Sequence, residues 1–457
     1  MLSWPVPRSL WLAQIPTIIA VNPVRHDMGF DIAIAGGGYS ALWTAYYLKK
    51  ADATLKIGIF EAKFVGFGAS GRNGGWASAL FPSSHAKVAK LYGHESAVNL
   101  HRALVESVYE IAKVVQSEGI QADLVRGGTV TVAGNVTQLA RLQAQVNAAR
   151  LYGDPNDEYL LSAEETLERV GVASALGGTY TPHCARIQPA KLVRGLLEVV
   201  RGLGVEVFEN SVVSEIKSGL MTVNGRSIRA DIVIDAMEGY RSRLLKPRSP
   251  TVPIYSLMIA TKSLSDAVVE RVGLRERETL TDGRNLIIYA QRTADNRIVF
   301  GGRGALYHFG ASVSPEFDDN EQVFDHLELA LADFIPSLQG VEIEYKWGGP
   351  LGVSRDFFPF VRYFDKTSIG SLGGYVGDGV TMANLAGRTL ADLITARDTD
   401  LAKLCIVNHK GRNYEAEPLR YLGINSTIIA ADRLDKNEAS GKTNPVLRYG
   451  FEKLLGK

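Results

Sequence analysis

The segment from Phe30 to Trp76 constrains the fold of this chain more than any other. A short apolar run, Asp31 to Ala35, predicts a buried strand, and three consecutive glycines follow it. Apolar residues then recur at helical spacing from Ser40 to Lys50, and a second apolar run, Ile57 to Phe60, predicts another strand. Strand, glycine turn, helix and strand in this order predict a dinucleotide-binding βαβ unit.

Individual residues of this unit have distinct expected roles. Gly36 permits the tight turn, and Gly38 allows the backbone to approach a pyrophosphate, while Ala41 replaces the third glycine and is still small. The N–H groups at the start of the helix would point at the phosphates. Glu61 follows Ala41 by 20 residues, where a carboxylate accepts hydrogen bonds from a ribose hydroxyl. The weaker alternative is a glycine turn that binds no ligand. It is less favoured because the strand before the turn, the helix after it and the acid Glu61 all match the dinucleotide-binding pattern.

A glycine-rich stretch, Gly66 to Gly75, comes soon after the acid. It holds five glycines in ten residues, together with one cation, Arg72. Such a run is unfavourable in a helix or strand, because glycine loses much backbone entropy there. It suits a backbone that lies against a flat or anionic ligand, with Arg72 as a charge for phosphate. A flexible surface loop is the alternative.

With these motifs the chain resembles the FAD-dependent amine and amino-acid oxidoreductases of the D-amino-acid oxidase superfamily. It looks most like the gamma-glutamylputrescine oxidase-like subgroup, in which GASGRNGG follows the acid-ended second strand. The resemblance implies an α/β fold: a Rossmann-like FAD-binding domain with a second α+β substrate domain built on a mostly antiparallel sheet. The FAD is expected to be non-covalent, since no cysteine matches a flavin-linking position. The implied cofactor-binding residues are Gly36, Gly38, Tyr39, Ser40, Glu61, Ala62, Ala69, Ser70, Arg72, Asn73, Gly74, Gly75, Val213, Gly377, Gly379 and Val380.

A second glycine-rich turn, Gly373 to Val380, leads into a predicted helix over Thr381 to Ile394. In the family that the chain resembles, this loop delivers N–H groups to the edge of the flavin ring, where a positive helix end stabilises negative charge. Many relatives have histidine where this chain has Asp378. Two glycine-to-helix junctions more than 300 residues apart predict that Gly38 and Gly379 line one cavity, each at one end of FAD.

The chain is long enough for two domains, because its 457 residues exceed one ordinary core. Within the second domain we expect a helix from Ser83 to about Glu118, a strand from Leu124 to Ala133 and a helix from Leu160 to Val170. Its later strands alternate apolar and polar residues, as in a sheet exposed on one face. The expected boundaries are an N-terminal arm over 1–29, an FAD-binding domain over 30–82, 186–250 and 345–400, a substrate domain over 83–185 and 251–344, and a helical tail over 401–457.

Composition and charge narrow the choice of partners. A net charge of +1 offers no basic field for nucleic acid. Two distant cysteines, Cys184 and Cys405, predict neither a disulfide framework nor a metal site, and the eight histidines show no ligand spacing.

The apolar stretch Leu10 to Val21 is interrupted and too short to span a bilayer. We therefore expect a cytoplasmic protein whose arm packs through Trp4 and Trp11.

The resemblance implies oxidation of a primary or secondary amine or an amino acid, by hydride transfer to flavin N5 and hydrolysis of the imine. No general base is predicted, because a neutral amine needs none. Arg303 is a candidate clamp for a substrate carboxylate, or a solvated strand-end arginine. The candidates for the substrate face are Trp76, Tyr255, Tyr289, Arg303, Trp347, Arg355 and Tyr375, although aromatic residues in such sheets are more often core.

Two other functions remain open at this point. One is a 2-hydroxy-acid or polyol dehydrogenase on the same fold, and the other is a flavin-binding protein without turnover. The retention of both glycine loops together with a full-length second domain argues against the latter. The particular amine, the electron acceptor (oxygen or a respiratory carrier) and the oligomeric state do not follow from the sequence.

Overall fold

Two eight-stranded sheets organise the part of the chain that the structure describes. The structure is a computed structural model that describes residues 8–244, 250–302 and 304–455, so Trp4 and Arg303 lie outside the described residues. The strands are β1 (Met28–Ala35), β2 (Ile57–Phe60), β3 (Trp76–Ser78), β4 (Thr129–Ala133), β5 (Tyr159–Leu161), β6 (Gly177–Thr181), β7 (Cys184–Arg186), β8 (Glu206–Phe208), β9 (Val213–Lys217), β10 (Leu220–Val223), β11 (Arg226–Asp235), β12 (Thr251–Thr261), β13 (Thr279–Asp282), β14 (Ile288–Arg292), β15 (Ile298–Gly302), β16 (Ile343–Ser354), β17 (Phe360–Phe364) and β18 (Ile369–Gly373). The helices are α1 (Leu10–Ala13), α2 (Tyr39–Ala51), α3 (His85–Tyr92), α4 (His94–Ser117), α5 (Val136–Ala149), α6 (Ala163–Arg169), α7 (Pro189–Gly202), α8 (Asp266–Val272), α9 (Glu321–Phe334), α10 (Gly379–Ile394), α11 (Leu419–Ala439) and α12 (Pro445–Leu455).

The first sheet has a parallel centre, β18-β11-β1-β2-β8, with β17 antiparallel at one edge. Its central strands β1, β2 and β11 carry apolar runs, Ile32 to Ala35, Ile57 to Phe60 and Ile232 to Ile234, because both faces are covered there. Ile32 and Ile34 pack with the buried sides of α2, α7 and α10. Phe30 and Ala33 pack on the other face, against the β9–β10 hairpin. The carboxyl ends of β1, β2 and β11 therefore meet at one edge, where the first glycine turn begins.

The second sheet has the order β16-β12-β15-β14-β13-β4-β6-β5, and its described neighbours are antiparallel apart from the pair β13–β4. This confirms the predicted mostly antiparallel sheet. The predicted exposed face is wrong, because β15 is buried along its whole length. Phe324 and Leu327 of α9 cover one face. Met258 and Trp347 on the other face pack against Trp11 of the N-terminal arm.

Three local predictions differ from the structure for identifiable reasons. The long helix predicted from Ser83 is two helices, because Gly93 between them adopts a φ of 92°. The strand predicted from Leu124 begins only at β4, after Gly128 with a φ of 77°. The helix predicted from Leu160 is a short strand that pairs with β6, followed by α6 with its capping box at Ser162. Pairing with a neighbouring strand overrides the helical pattern there.

The described parts of the N-terminal arm and of the C-terminal tail pack on the body of the protein. In the arm, Leu10 and Trp11 are buried, and Ser9 caps α1. In the tail, Asp435 of α11 accepts hydrogen bonds from the backbone N–H groups of Asn285 and Leu286, at 2.8 Å each. None of the helices in the described ranges is both long and apolar enough to cross a membrane.

Candidate active site

The glycine turn after β1 leaves bare backbone facing a cavity. Gly36 has a φ of 99°, and a Cβ there would lie 2.7 Å from the carbonyl oxygen of Ala236. A Cβ on Gly38 would lie 2.7 Å from Ser70 Oγ, which accepts a hydrogen bond from the N–H of Tyr39 at 2.9 Å. Any side chain at these two positions would displace its neighbours. The arrangement fits a phosphate group held against backbone at the start of α2.

Glu61 lies at the end of β2 beside this turn. Its two carboxyl oxygens accept hydrogen bonds from the N–H groups of Gly37, at 2.7 Å, and Lys63, at 2.9 Å. Burial raises its pKa to about 7, and the backbone N–H donors offset only part of that shift. The carboxyl lines the cavity and has lone pairs left for further donors, such as ribose hydroxyls.

The second glycine turn, far from the first along the chain, lies at the same cavity. Val376 and Gly377 have φ values of 57° and 108°, and they lead directly into the N-terminus of α10. The hydroxyl of Tyr375 lies 2.8 Å from Ser40 Oγ, so the late turn is hydrogen-bonded to the first turn of α2. Two helix N-termini, both electropositive, therefore face one region.

One cavity connects the two turns, and Gly38 and Gly379 both line it. Val213, on β9, lies in the wall beyond Glu61. A cavity that joins a phosphate-type cradle to a second helix N-terminus fits an extended dinucleotide such as FAD. The residues predicted from sequence that line this cavity are Gly36, Gly38, Tyr39, Ser40, Glu61, Ala62, Ala69, Ser70, Asn73, Val213, Tyr375, Gly377, Gly379 and Val380.

Glu238 supports the same cavity and was not predicted from the sequence. It has a φ of 48°, and its buried carboxyl accepts hydrogen bonds from the N–H groups of Gly352, Gly374 and Tyr375. Burial raises its pKa. One carboxyl group thus ties the end of β11 to β16 and to the late glycine turn. No local pattern signals this role, because the donors lie more than 100 residues away.

The structure corrects the expected place of Arg72. Its buried guanidinium donates to Asp318 at 2.6 Å, to the carbonyl oxygen of Gly348 at 2.7 Å and to the hydroxyl of Tyr240 at 2.9 Å. It is not among the residues that line the cavity. The Arg72 side chain therefore pairs with Asp318, and this ion pair already compensates its positive charge.

Gly74 and Gly75 also lie outside the cavity wall, because the second sheet covers them. A Cβ on Gly74 would lie 3.0 Å from the ring of Tyr289. Gln291 donates from Nε2 to the carbonyl oxygens of Gly74, at 2.7 Å, and Gly75, at 3.2 Å. The sheet is therefore held directly on the glycine loop. Gln291 was not predicted, since nothing in its local sequence marks it.

Two of the candidate substrate-face residues come together on this side. The rings of Trp76 and Tyr289 meet edge to face, with their centroids 6.4 Å apart. The hydroxyl of Tyr289 lies 2.7 Å from Ser256 Oγ on the neighbouring part of the sheet. Both aromatic residues are half-buried. They form a polar and aromatic surface next to Gly74, as a substrate face requires.

The structure places three other candidates elsewhere. Tyr255 points to the opposite face of β12 from Ser256, because strand residues alternate, and its ring packs on Phe317. Trp347 is buried in the core with Trp11. Arg355 forms an exposed ion pair with Glu415 at 3.0 Å. Tyr375 lines the cavity instead, and Arg303 falls outside the described residues.

A family model for FAD-dependent oxidoreductases matches residues 31–393. The chain belongs to this family of FAD-dependent oxidoreductases. It is 31% identical to gamma-glutamylputrescine oxidoreductase of Escherichia coli (strain K12), over 84% of this chain and 88% of that protein. It is 23% identical to sarcosine oxidase subunit beta of Rhizobium meliloti (strain 1021), over 80% and 84% of the respective chains.

The fold is shared with solved structures of related enzymes. The crystal structure of glycine oxidase from Geobacillus kaustophilus superimposes with a TM-score of 0.68 at 20% identity, over 84% of this chain and all of that one. L-proline dehydrogenase from P. horikoshii gives a TM-score of 0.67 at 18% identity, over 82% and 96%. Fold class, cofactor and enzyme class are thereby confirmed: this FAD-dependent oxidoreductase has the predicted two-part α/β architecture.

Proposed function

We propose that this FAD-dependent oxidoreductase oxidises a primary or secondary amine or an amino acid to an imine, which water then hydrolyses. The proposal rests on one cavity that both Gly38 and Gly379 line. The glycine-rich loop at this cavity, Gly66 to Gly75, continues into the face formed by Trp76 and Tyr289. Relatives named for gamma-glutamylputrescine, sarcosine and glycine support a nitrogen-bearing substrate. Bound FAD would supply the hydride acceptor.

The residues of the chain have positioning roles in this proposal. Gly36, Gly38 and the start of α2 would hold phosphate, Glu61 would accept from ribose hydroxyls, and the N-terminus of α10 would stabilise charge on the ring edge. Trp76 and Tyr289 would exclude water and orient the carbon that loses hydride. We name no general base, because an amine that arrives neutral can give up hydride without one.

The two sheets support the domain boundaries expected from the sequence. We propose that 30–82, 186–250 and 345–400 form the FAD-binding domain and that 83–185 and 251–344 form the substrate domain. β16 pairs with β12 of the second sheet from Ile343 to Ser354 and passes the cavity at Gly352, so the boundary near 345 crosses one continuous strand and residues 345–354 lie in the second sheet. The N-terminal arm and the C-terminal tail would pack on the outer surfaces of these two domains.

Anaerobic reduction of the flavin tests the proposal most directly. Purified protein should be yellow and release FAD on acid precipitation, and a panel of amines and amino acids should bleach its flavin absorbance. Bleaching by 2-hydroxy acids alone would overturn the amine assignment. Absence of bleaching by any substrate would instead favour a flavin protein without turnover. Peroxide formation on admitting air would identify oxygen as the acceptor, whereas reoxidation only by a quinone would indicate a respiratory carrier.

A further inference from the structure

The C-terminal tail binds the segment that enters β14, next to the proposed substrate face. The family model ends at residue 393, so the tail helix α11 lies beyond it. The carboxylate of Asp435 on α11 accepts hydrogen bonds from the backbone N–H and the side-chain amide of Asn285, at 2.8 and 2.7 Å, and from the N–H of Leu286 at 2.8 Å. Tyr289 follows Leu286 by three residues. One carboxylate of the tail therefore fixes the start of the strand that carries Tyr289.

Asn425 of α11 binds the loop that leaves β15. Its side-chain oxygen accepts from the N–H of Tyr307 at 2.8 Å, and its amide donates to the carbonyl oxygen of the same residue at 3.2 Å. Glu417, just before the helix, accepts from the hydroxyl of Tyr307 at 2.8 Å and from the N–H of Gly310 at 2.9 Å. Because β14 and β15 are antiparallel neighbours, the start of one and the end of the other lie at the same end of the sheet. The tail thus holds both strand ends there.

Tyr289 is the residue at this end of the sheet that reaches the glycine loop. Its ring fits between positions without side chains: a Cβ would lie 2.5 Å from it on Gly301 and 3.0 Å from it on Gly74. Its hydroxyl lies 2.7 Å from Ser256 Oγ, and its ring meets Trp76 edge to face. With so little space around the ring, a displacement of the start of β14 would displace Tyr289 relative to the glycine loop.

The tail also packs on the face of β12 that carries Ser256. Side chains of a strand alternate between its two faces, so Val252 and Ser256, four residues apart, point to the same side. Val252 belongs to an apolar cluster with Tyr307 and with Tyr414 and Ile424 of the tail. The tail therefore packs beside the proposed substrate face in addition to holding its strand ends.

We propose that Asp435 and Asn425 are positioning residues of the active site. They fix the strand ends that present Tyr289, and thereby the orientation of the substrate carbon relative to the flavin. The inference rests on the proposed function, in which Tyr289 orients the carbon that loses hydride. A displacement of about 1 Å can slow a reaction about a hundredfold, even when the substituted residue is far from the reacting atoms. Loss of these contacts should therefore slow flavin reduction while FAD affinity stays close to that of wild type.

Anaerobic stopped-flow reduction of the holoenzyme tests the role of Asp435. With the amine that best bleaches the wild-type flavin, Asp435→Ala should lower the limiting rate constant of flavin reduction at least about tenfold, because Tyr289 is no longer held in place. The measurement is made well below the melting temperature of the variant. Asp435→Asn keeps one acceptor oxygen and should recover part of the rate. Asn425→Ala should act in the same direction as Asp435→Ala.

Asp432→Ala is the matched control on the same helix. Its carboxylate pairs with Lys436 of α11 at 2.8 Å and is partly exposed, so its rate constant should stay within about twofold of wild type. Equal rate constants in Asp435→Ala and Asp432→Ala would overturn the proposal. If Asp435→Ala does not fold, Asp435→Asn takes its place, and a rate constant equal to that of Asp432→Ala would overturn the proposal in the same way.

A double-mutant cycle separates positioning from stability. If Asp435 acts through Tyr289, Asp435→Ala should slow flavin reduction much less in a Tyr289→Ala background than in wild type. A purely structural role would lower the melting temperature in both backgrounds and leave the rate constant below that temperature unchanged. The same fold reduction in both backgrounds would overturn the assignment to Tyr289.

Hydrogen exchange of the apoprotein distinguishes failure of this inference from failure of the proposed function. Asp435→Ala should speed amide exchange in residues 285–292, and Asp432→Ala should not. If no amine reduces the wild-type flavin, the proposed function fails, while faster exchange in Asp435→Ala alone still supports the link between the tail and this strand end. Exchange in residues 285–292 that is unchanged by Asp435→Ala would overturn the inference even if amines reduce the flavin.

Discussion

Trp11 and Trp347 donate their indole N–H groups to successive carbonyl oxygens of one loop, those of Asn73 and Arg72, at 2.9 Å each. Their rings meet edge to face, with centroids 6.2 Å apart. One tryptophan belongs to the N-terminal arm, outside the span of the family model, and the other to β16. From inside the loop, the side chain of Asn73 accepts from the N–H of Gly75 at 2.8 Å. The loop that lines the cavity is therefore fixed from both sides.

Trp11→Phe should weaken FAD binding, because it keeps most of the ring but leaves the carbonyl of Asn73 without its donor. A lost hydrogen bond of this kind is expected to weaken FAD affinity by about two- to tenfold. Titration of the apoprotein with FAD, followed by quenching of flavin fluorescence, measures the change. Trp347→Phe should act similarly, and the double variant should show an effect that departs from additivity, since the two rings are in contact.

Trp43→Phe is the matched control for these substitutions. Trp43 is fully buried on α2, but its Nε1 has no acceptor among the described residues, so no hydrogen bond is lost. FAD affinity should stay within about twofold of wild type. If Trp43→Phe weakens FAD binding as much as Trp11→Phe, loss of indole volume rather than the bond to Asn73 is responsible.

FAD affinity should increase with pH because of Glu61. Burial raises the pKa of this carboxyl to about 7, whereas the unfolded chain releases the proton near pH 4.5. Between these values the folded apoprotein holds a proton that the unfolded chain has lost, so its free energy of unfolding decreases as pH rises through this window. Ribose hydroxyls that donate to the carboxylate would favour the ionised form, so FAD binding should release this proton.

The affinity for FAD should therefore rise from about pH 5 to about pH 7, by at most about tenfold per unit. Glu61→Gln, which does not titrate, should bind FAD more weakly above pH 7 and should lose most of this pH dependence. Kd values measured from pH 5 to 8 for both proteins test the prediction. A wild-type profile that is flat, or that Glu61→Gln reproduces, would contradict it.

Glu238→Ala should destabilise the protein, because three backbone N–H groups around the cavity would lose their acceptor. The cost is expected to be about 2–4 kcal/mol in the free energy of unfolding. Urea unfolding of the apoprotein measures it. Glu215→Ala, on the exposed part of β9, removes a carboxylate whose partner among the described residues is Lys217 and should change stability by less than about 0.5 kcal/mol.

The sequence was most informative where the signals are local. The strand, turn and helix from β1 to β2 follow from apolar spacing and from glycines that permit positive φ, so their bounds were predicted within a few residues. Arg72 shows the limit of this reasoning. Its partner Asp318 lies 246 residues away, and no local pattern distinguishes an arginine that meets phosphate from one that meets a distant acid.

The substrate face was harder to predict for a related reason. Neighbouring residues of a strand point in opposite directions, so Tyr255 packs in the core while Ser256 contacts Tyr289. Which face of β12 meets the glycine loop depends on how the whole sheet docks. The docking is fixed by contacts such as that of Gln291 with Gly74, which join segments 217 residues apart. Composition of the strand alone carries no information about them.

Arg303→Ala tests the carboxylate clamp that the sequence predicts after β15. If Arg303 binds a substrate carboxylate, the variant should raise KM for amino acids and acid-bearing amines by about tenfold or more, with little change for amines without a carboxylate. Steady-state kinetics on paired substrates that differ only in the carboxylate measure this. An unchanged KM for both members of the pair would remove the clamp role and leave Arg303 as a strand-end arginine.

Gly38→Ala should abolish or greatly weaken FAD binding with little loss of fold. The new methyl group would lie 2.7 Å from Ser70 Oγ, so Ser70 must move and release the N–H of Tyr39. It would also stand where the backbone must approach phosphate. Gly29→Ala is the control, since a Cβ there has no heavy atom within 4 Å in the described structure. We expect at least about a tenfold loss of affinity for Gly38→Ala and none for Gly29→Ala. Equal affinity in the two variants would mean that phosphate is held elsewhere in the cavity.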